Sequence, residues 1–128
     1  MFNRLTLLLT LLLALLVVAL MGVAGVNAAT SKESFNLKGE VYPNYKIEFV
    51  NASDKTVKTV KAGTKRIKIE DKSSIHNFHL KGPGVNKSTS VGFIGERIWT
   101  VKLKPGKYTY WCDPHSSMMH GSFRVVAS

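Results

Sequence analysis

The chain has 128 residues, with 18 Lys+Arg against 8 Asp+Glu and a formal net charge of +10. That length holds one domain around one core and excludes large barrels and doubly wound sheets. A single cysteine excludes an intramolecular disulfide, and it lies with all four histidines at or beyond position 76, so their placement carries information.

Arg4 precedes an apolar run from Leu5 to about Val26, which ends in Val26-Asn27-Ala28 before polar sequence from Thr30. The small residues ahead of Ala29 suit a signal peptidase, so residues 1–28 are expected to be an export signal cut after Ala28. At about 20 apolar residues the run is also long enough to stay as an uncleaved anchor, the one way this chain is expected to meet a membrane. Either way, residues 29–128 are expected to fold in the periplasm or at or beyond the cell surface. The lysines from Lys38 to Lys107 are scattered along the strands, as solvated faces would be. Their functional reading is attraction to an acidic protein or an anionic envelope surface. No basic–aromatic motif points to nucleic acid.

After Ala29 the chain alternates with period two and shows no helical stripe. Tyr45, Ile47 and Phe49 share one predicted strand face, with Lys46 and Glu48 on the other. Asn51–Lys55 is a turn cluster, and Val57 and Val60 mark a short strand. Arg66–Glu70 alternates again, and Ile75–Leu80 reads as another strand, stopped at Gly82-Pro83-Gly84. Any helix is expected in a short connection near 85–90. Trp99, Val101 and Leu103 share one strand face. Pro105-Gly106 then turns the chain into Tyr108–Cys112, and Phe123–Val126 closes the domain. Tyr108 and Tyr110 are expected in the core, and Trp99 and Trp111 are expected to serve packing. Short strands about ten residues apart predict an all-β, Greek-key sandwich of about seven to eight strands.

The chemistry concentrates in Cys112-Asp113-Pro114-His115-Ser-Ser-Met118-Met119, where a thiol, an imidazole and thioethers share one loop. His76, 36 residues upstream of Cys112, must be brought across by the fold. Two imidazoles, a thiolate and a weak axial thioether make the ligand set of a blue-copper electron-transfer centre. Soft sulfur suits Cu(I) and imidazole suits Cu(II), so a stiff site holding both changes little on electron transfer. In an exported protein a lone thiol is also exposed to oxidation unless buried or metal-bound.

These residues resemble the cupredoxins, closest to the amicyanin, plastocyanin and pseudoazurin branch. The matching elements are His76-Asn77, Pro105-Gly106-Lys107-Tyr108-Thr109-Tyr110-Trp111-Cys112, Pro114-His115 and Met119-His120-Gly121. His76-Asn77-Phe78-His79 is similar to the amicyanin His-Asn-Val-His. The resemblance implies one copper per chain, with His76, Cys112 and His115 as equatorial ligands and Asn77 tying the ligand segments together. Counting forward from His115, Met118 falls at the amicyanin spacing. Counting back from Gly121, Met119 fits Met-x-Gly and is the preferred axial ligand, because the glycine starts the last strand.

Asp113 is expected to cap loop amides or to face solvent. His79 is the runner-up ligand, and His120 is expected at the surface. The resulting reading is a monomeric, non-enzymatic carrier of single electrons between redox proteins, its partner acidic. Electrons would leave through His115, inside an apolar rim of Pro114, Met118 and Gly82–Gly84. The competing readings are copper storage or delivery with the same ligands, and a metal-free binding sandwich. Copper oxidases and nitrite reductases need further histidine clusters that four histidines without a His-x-His pair do not supply.

Overall fold

The computed structural model describes residues 34–128. The signal or anchor expected over 1–28 lies outside the described residues. The strands are β1 (Leu37–Tyr42), β2 (Lys46–Asn51), β3 (Thr59–Lys61), β4 (Gly63–Asp71), β5 (His79–Gly82), β6 (Val85–Ser88), β7 (Gly95–Leu103), β8 (Gly106–Trp111) and β9 (His120–Val126). They form a four-stranded sheet, order β2-β1-β4-β7, and a five-stranded sheet, order β3-β9-β8-β5-β6. Neighbours run antiparallel, except β1 with β4 and β3 with β9. This is the expected sandwich, with nine strands among the described residues.

The inward faces meet in an aromatic stack. Phe49 of β2 lies 4.4 Å from Phe123 of β9 and 5.7 Å from Tyr110 of β8, and Phe78 stacks on Tyr110 at 5.7 Å. Ile67, Ile69, Trp99, Val101, Leu103 and Tyr108 complete the core from alternating positions, as the periodicity predicts. Burying each large side chain contributes about 1.5–3 kcal/mol. Gly121 gives Tyr110 its place, because a Cβ there would collide with the tyrosine ring.

One strand stands outside the expected set, and three expectations are corrected. β1 is a central strand although Lys38, Gly39 and Glu40 interrupt its apolar residues; Glu40 is buried on the outward face, bridged by Lys38 and Lys72. Val85–Ser88 is the edge strand β6 and not a helix; the one helical turn among the described residues is Asp113–His115. Only His79 onward joins the strand predicted over Ile75–Leu80. Ahead of it the Ile75 amide donates to Ser73 Oγ (3.4 Å) and the Phe78 amide to Thr89 Oγ1 (2.9 Å), side-chain partners that take the place of a ladder. Tyr45 is not on the strand face of Ile47 and Phe49. It ends the β1–β2 turn at φ 59° and is exposed.

Candidate metal centre

Two segments meet at one end of the sandwich. β4 ends at Asp71, whose Oδ1 accepts from the Ser73 amide (3.1 Å), and Lys72 N donates to Val41 O (3.0 Å). Phe78 then anchors in the core, so His76 between these points turns inward and is fully buried. In the other sheet β8 runs into Cys112, also fully buried, and Pro114 sits in the helical turn that follows. Backbone bonds close this loop: Cys112 N to Met119 O (3.0 Å), His115 N to Cys112 O (3.1 Å) and Met119 N to His115 O (2.9 Å).

The side chains of His76, Cys112 and His115 converge. Nδ1 of His76 lies 2.9 Å from Nδ1 of His115, and Cys112 Sγ lies 3.6 Å from each. The point equidistant from these three atoms is about 2.0 Å from each, within the metal–nitrogen range and close to the metal–sulfur range. Burial pushes the His76 imidazole pKa down, and neighbouring His115 pushes it further, against the Pro43 backbone. The ring is therefore held in the neutral form that a ligand needs. Among the described residues, this is the group of three side chains able to hold a metal.

Asn77 joins the segments as expected for a residue behind the ligands. Its Oδ1 accepts from Asp113 N (2.7 Å), and its Nδ2 donates to Asp113 Oδ2 (2.7 Å) and Thr89 O (3.0 Å). Asp113 does not cap loop amides; it faces solvent as the alternative had it, with its side chain 44% exposed, but it is not unpartnered there. Besides Asn77, its carboxylate takes His79 Nδ1 (2.8 Å) and Trp111 Nε1 (2.7 Å). Burial opposes its ionisation, but these donors outweigh that and hold its pKa below the usual carboxylate range. His79 is thereby removed as a runner-up ligand. Its ring bonds Asp113 and Asn86 and stacks on Trp111 at 4.2 Å, so both nitrogens are engaged away from Cys112.

A profile described as copper binding proteins, plastocyanin/azurin family, matches residues 40–126. The chain belongs to this copper-binding family. Among solved structures it is similar to a rusticyanin described as a copper protein, with 19% identity and a TM-score of 0.52, over 70% of this chain and 76% of that one. Reduced rusticyanin matches at 19% identity and a TM-score of 0.51, over 73% and 82%. At such identity these likenesses show the cupredoxin fold. The grouped His76, Cys112 and His115 suit a single type 1 copper.

Around the copper position the two methionines differ sharply. Met119 is fully buried, whereas Met118 is 64% exposed. His120 is exposed, its Nδ1 donating to Ser116 O (2.8 Å). The rim differs from expectation. Gly82–Gly84 lies at the far end of β8, roughly 17 Å along the strand, where Tyr108 Oη donates to Pro83 O (2.7 Å). Tyr45 takes its place, with its ring 5.0 Å from both His76 and His115, edge-on. Its position after Pro43-Asn44, a turn signal, was the available clue.

Proposed function

We propose that this chain is an exported blue copper protein that carries single electrons between redox proteins. His76, Cys112 and His115 would hold the copper, with Met119 as the further, weaker donor. The observation that carries this reading is the 2.9, 3.6 and 3.6 Å triangle of two ring nitrogens and one sulfur. Copper bound there would cycle between Cu(I) and Cu(II), states that this mixed donor set serves in turn. The protein's part is rigidity. The Cys112–Met119 loop is closed by backbone bonds and Asn77 locks it to the His76 segment, so the donors keep their places as charge changes. His115 is the half-buried member and offers the electron a route out. Tyr45 packs edge-on against it, and Pro114 and Met118 of its own loop and Ile75 next to His76 are exposed, an apolar surface suited to the small, short-lived contacts of a carrier.

Carriage is favoured over storage or delivery because His76 and Cys112 are fully buried, which leaves a copper acceptor little to grip. We read the chain as a non-enzymatic monomer, placed in the periplasm or at the cell surface by its apolar N-terminal run. The test is an absorption spectrum after Cu(II) is added to the purified protein. Intense visible thiolate-to-copper charge transfer, absent in Cys112→Ser, is expected; a colourless wild type overturns the reading. Rapid transfer of Cu(I) to a chelator, without fast electron exchange, would shift it to copper delivery.

A further inference from the structure

The charges that look scattered along the chain are sorted by the fold. On the outward face of the four-stranded sheet, Glu48, Glu40, Glu70 and Glu96 stand in one row across all four strands. Lys46 pairs with Glu48 (3.0 Å), Lys38 and Lys72 with Glu40 (each 3.3 Å), and Lys68 with Glu70 (2.7 Å) and Glu96 (2.8 Å). The lysines along that row are each held by a glutamate. The five strands of the other sheet contain no Asp or Glu. Lys61, Lys81, Lys87, Lys107 and Arg124 stand on them, with Lys58 beside β3, and among the described residues none of these six pairs with a carboxylate.

Two shallow grooves run between β8 and β9 on this basic face. One, of about 320 Å³, is lined by Lys58, Lys107, Ser122 and Arg124. The other, of about 530 Å³, shares Lys107 and Ser122 and ends on Ser116 and His120, just past His115 in the metal loop. We infer that the β8–β9 face docks the acidic surface of a protein partner, whose Asp and Glu side chains seat along these grooves. The inference rests on the carrier reading for its partner class. Unpaired cations supply the attraction, Thr109, Ser116 and Ser122 supply hydroxyl donors, and the groove ends at the metal loop. A lipid surface is the poorer occupant. Of the large exposed apolar side chains, Tyr45, Ile75 and Met118 lie on the segments at the metal end, Val91 and Ile94 lie between β6 and β7, and only Val126 lies on these strands; Trp111, which lines the larger groove, is half-buried and tied down by His79 and Asp113.

The test compares two double variants that each remove two positive charges. Lys107→Gln/Arg124→Gln alters the grooved face. Lys46→Gln/Lys72→Gln alters the paired face, at side chains 51% and 46% exposed. Binding of poly-L-glutamate is measured at low ionic strength, on copper-loaded and copper-free protein. The first pair is expected to weaken binding about tenfold and the second at most about twofold. Equal weakening by both pairs overturns the inference, since net charge alone would then explain binding. Tighter binding to phosphatidylglycerol vesicles than to polyglutamate overturns it in favour of lipid. On the wild type, amide shifts induced by polyglutamate should cluster at Lys107, Thr109, Ser122 and Arg124, and an even spread also overturns it. Failure here with the blue spectrum intact removes the docking face alone. A colourless protein that still binds polyglutamate removes the carrier reading alone.

Discussion

Two segments bring side chains to the copper position, and they are held by different means. Cys112–Met119 is held largely by its own backbone, through bonds among Cys112, His115, Met118 and Met119. The segment 73–78 is held mainly through side chains: Asp71 at its start, Thr89 from the β6–β7 connection, whose hydroxyl takes the Phe78 amide and whose carbonyl takes the Asn77 side chain, and Asp113 from beyond the neighbouring strand β8. The first has a shape that its local sequence can impose. The second has a shape only while the rest of the sandwich surrounds it. A centre built from both gains a rigid half and a half whose position reports on the whole fold.

Asn77 is where the halves join, so its loss has the largest expected effect. Asn77→Ala strands Thr89 O at a buried position and Asp113 N at a part-buried one, and frees the Asp113 carboxylate from one donor. Copper-free protein is expected to lose about 2–4 kcal/mol of stability, seen as a melting temperature roughly 10 °C lower or more. Copper affinity is expected to fall about tenfold or more. Calorimetry on the apo-protein and a competitive copper titration read the two effects. If both stay near wild type, each segment holds itself and the contrast is lost.

The same contrast explains what could be read from the chain. Cys112-x-x-His115 and Met119-x-Gly121 are local spacings, so the self-held loop announces itself. Trp99, Val101 and Leu103 alternate cleanly because β7 has one wet face and one dry face. His76 is recognisable only by its neighbours, Ser73-Ser74 ahead of it and Asn77 and His79 behind, and the strand expected around it begins only at His79, because Ser73 and Thr89 capture amides that a ladder would otherwise use. The Asp113–His79 pair joins residues 34 apart, and no periodicity foretells it. Tyr45 alternates with Ile47 and Phe49 exactly as a strand residue would, yet a left-handed turn swings it over the histidines. The glutamate row arises from the register of four strands, which the linear order of charges does not carry.

Asp71 tests the dependent half by itself. Burial pushes its carboxyl pKa up to about 6, against donation from the Ser73 amide and Thr89 hydroxyl, and Oδ2 is buried without a partner. The folded state thus holds this proton more tightly than the unfolded chain. Stability contributed by the protonated form is lost as pH rises from 3.8 through about 6, and the cost of the ionised form is full at neutral pH. Asp71→Asn is expected to raise apo-protein stability by about 1–2 kcal/mol at pH 7 and to change it little at pH 4. Urea midpoints at both pH values give the answer. A variant less stable at pH 7 would mean that the ionised carboxylate is the fastening of the His76 segment.

The two methionines test the self-held half, with the smallest effect on stability. Met119→Leu conserves volume at a fully buried position and is expected to cost less than about 1.5 kcal/mol. Its consequence should appear in the reduction potential. A thioether can serve both states, but its electron donation would lower the energy of the more highly charged Cu(II) by more; if its loss weakens Cu(II) binding tenfold relative to Cu(I), the potential rises by about 59 mV. Met118→Leu changes a side chain 64% exposed and should leave the potential within the error of voltammetry. The reverse pattern would mean that copper is met by the thioether at the amicyanin spacing. The loop would then have to open its Met119–His115 backbone bond to present Met118, and its shape would no longer be its own.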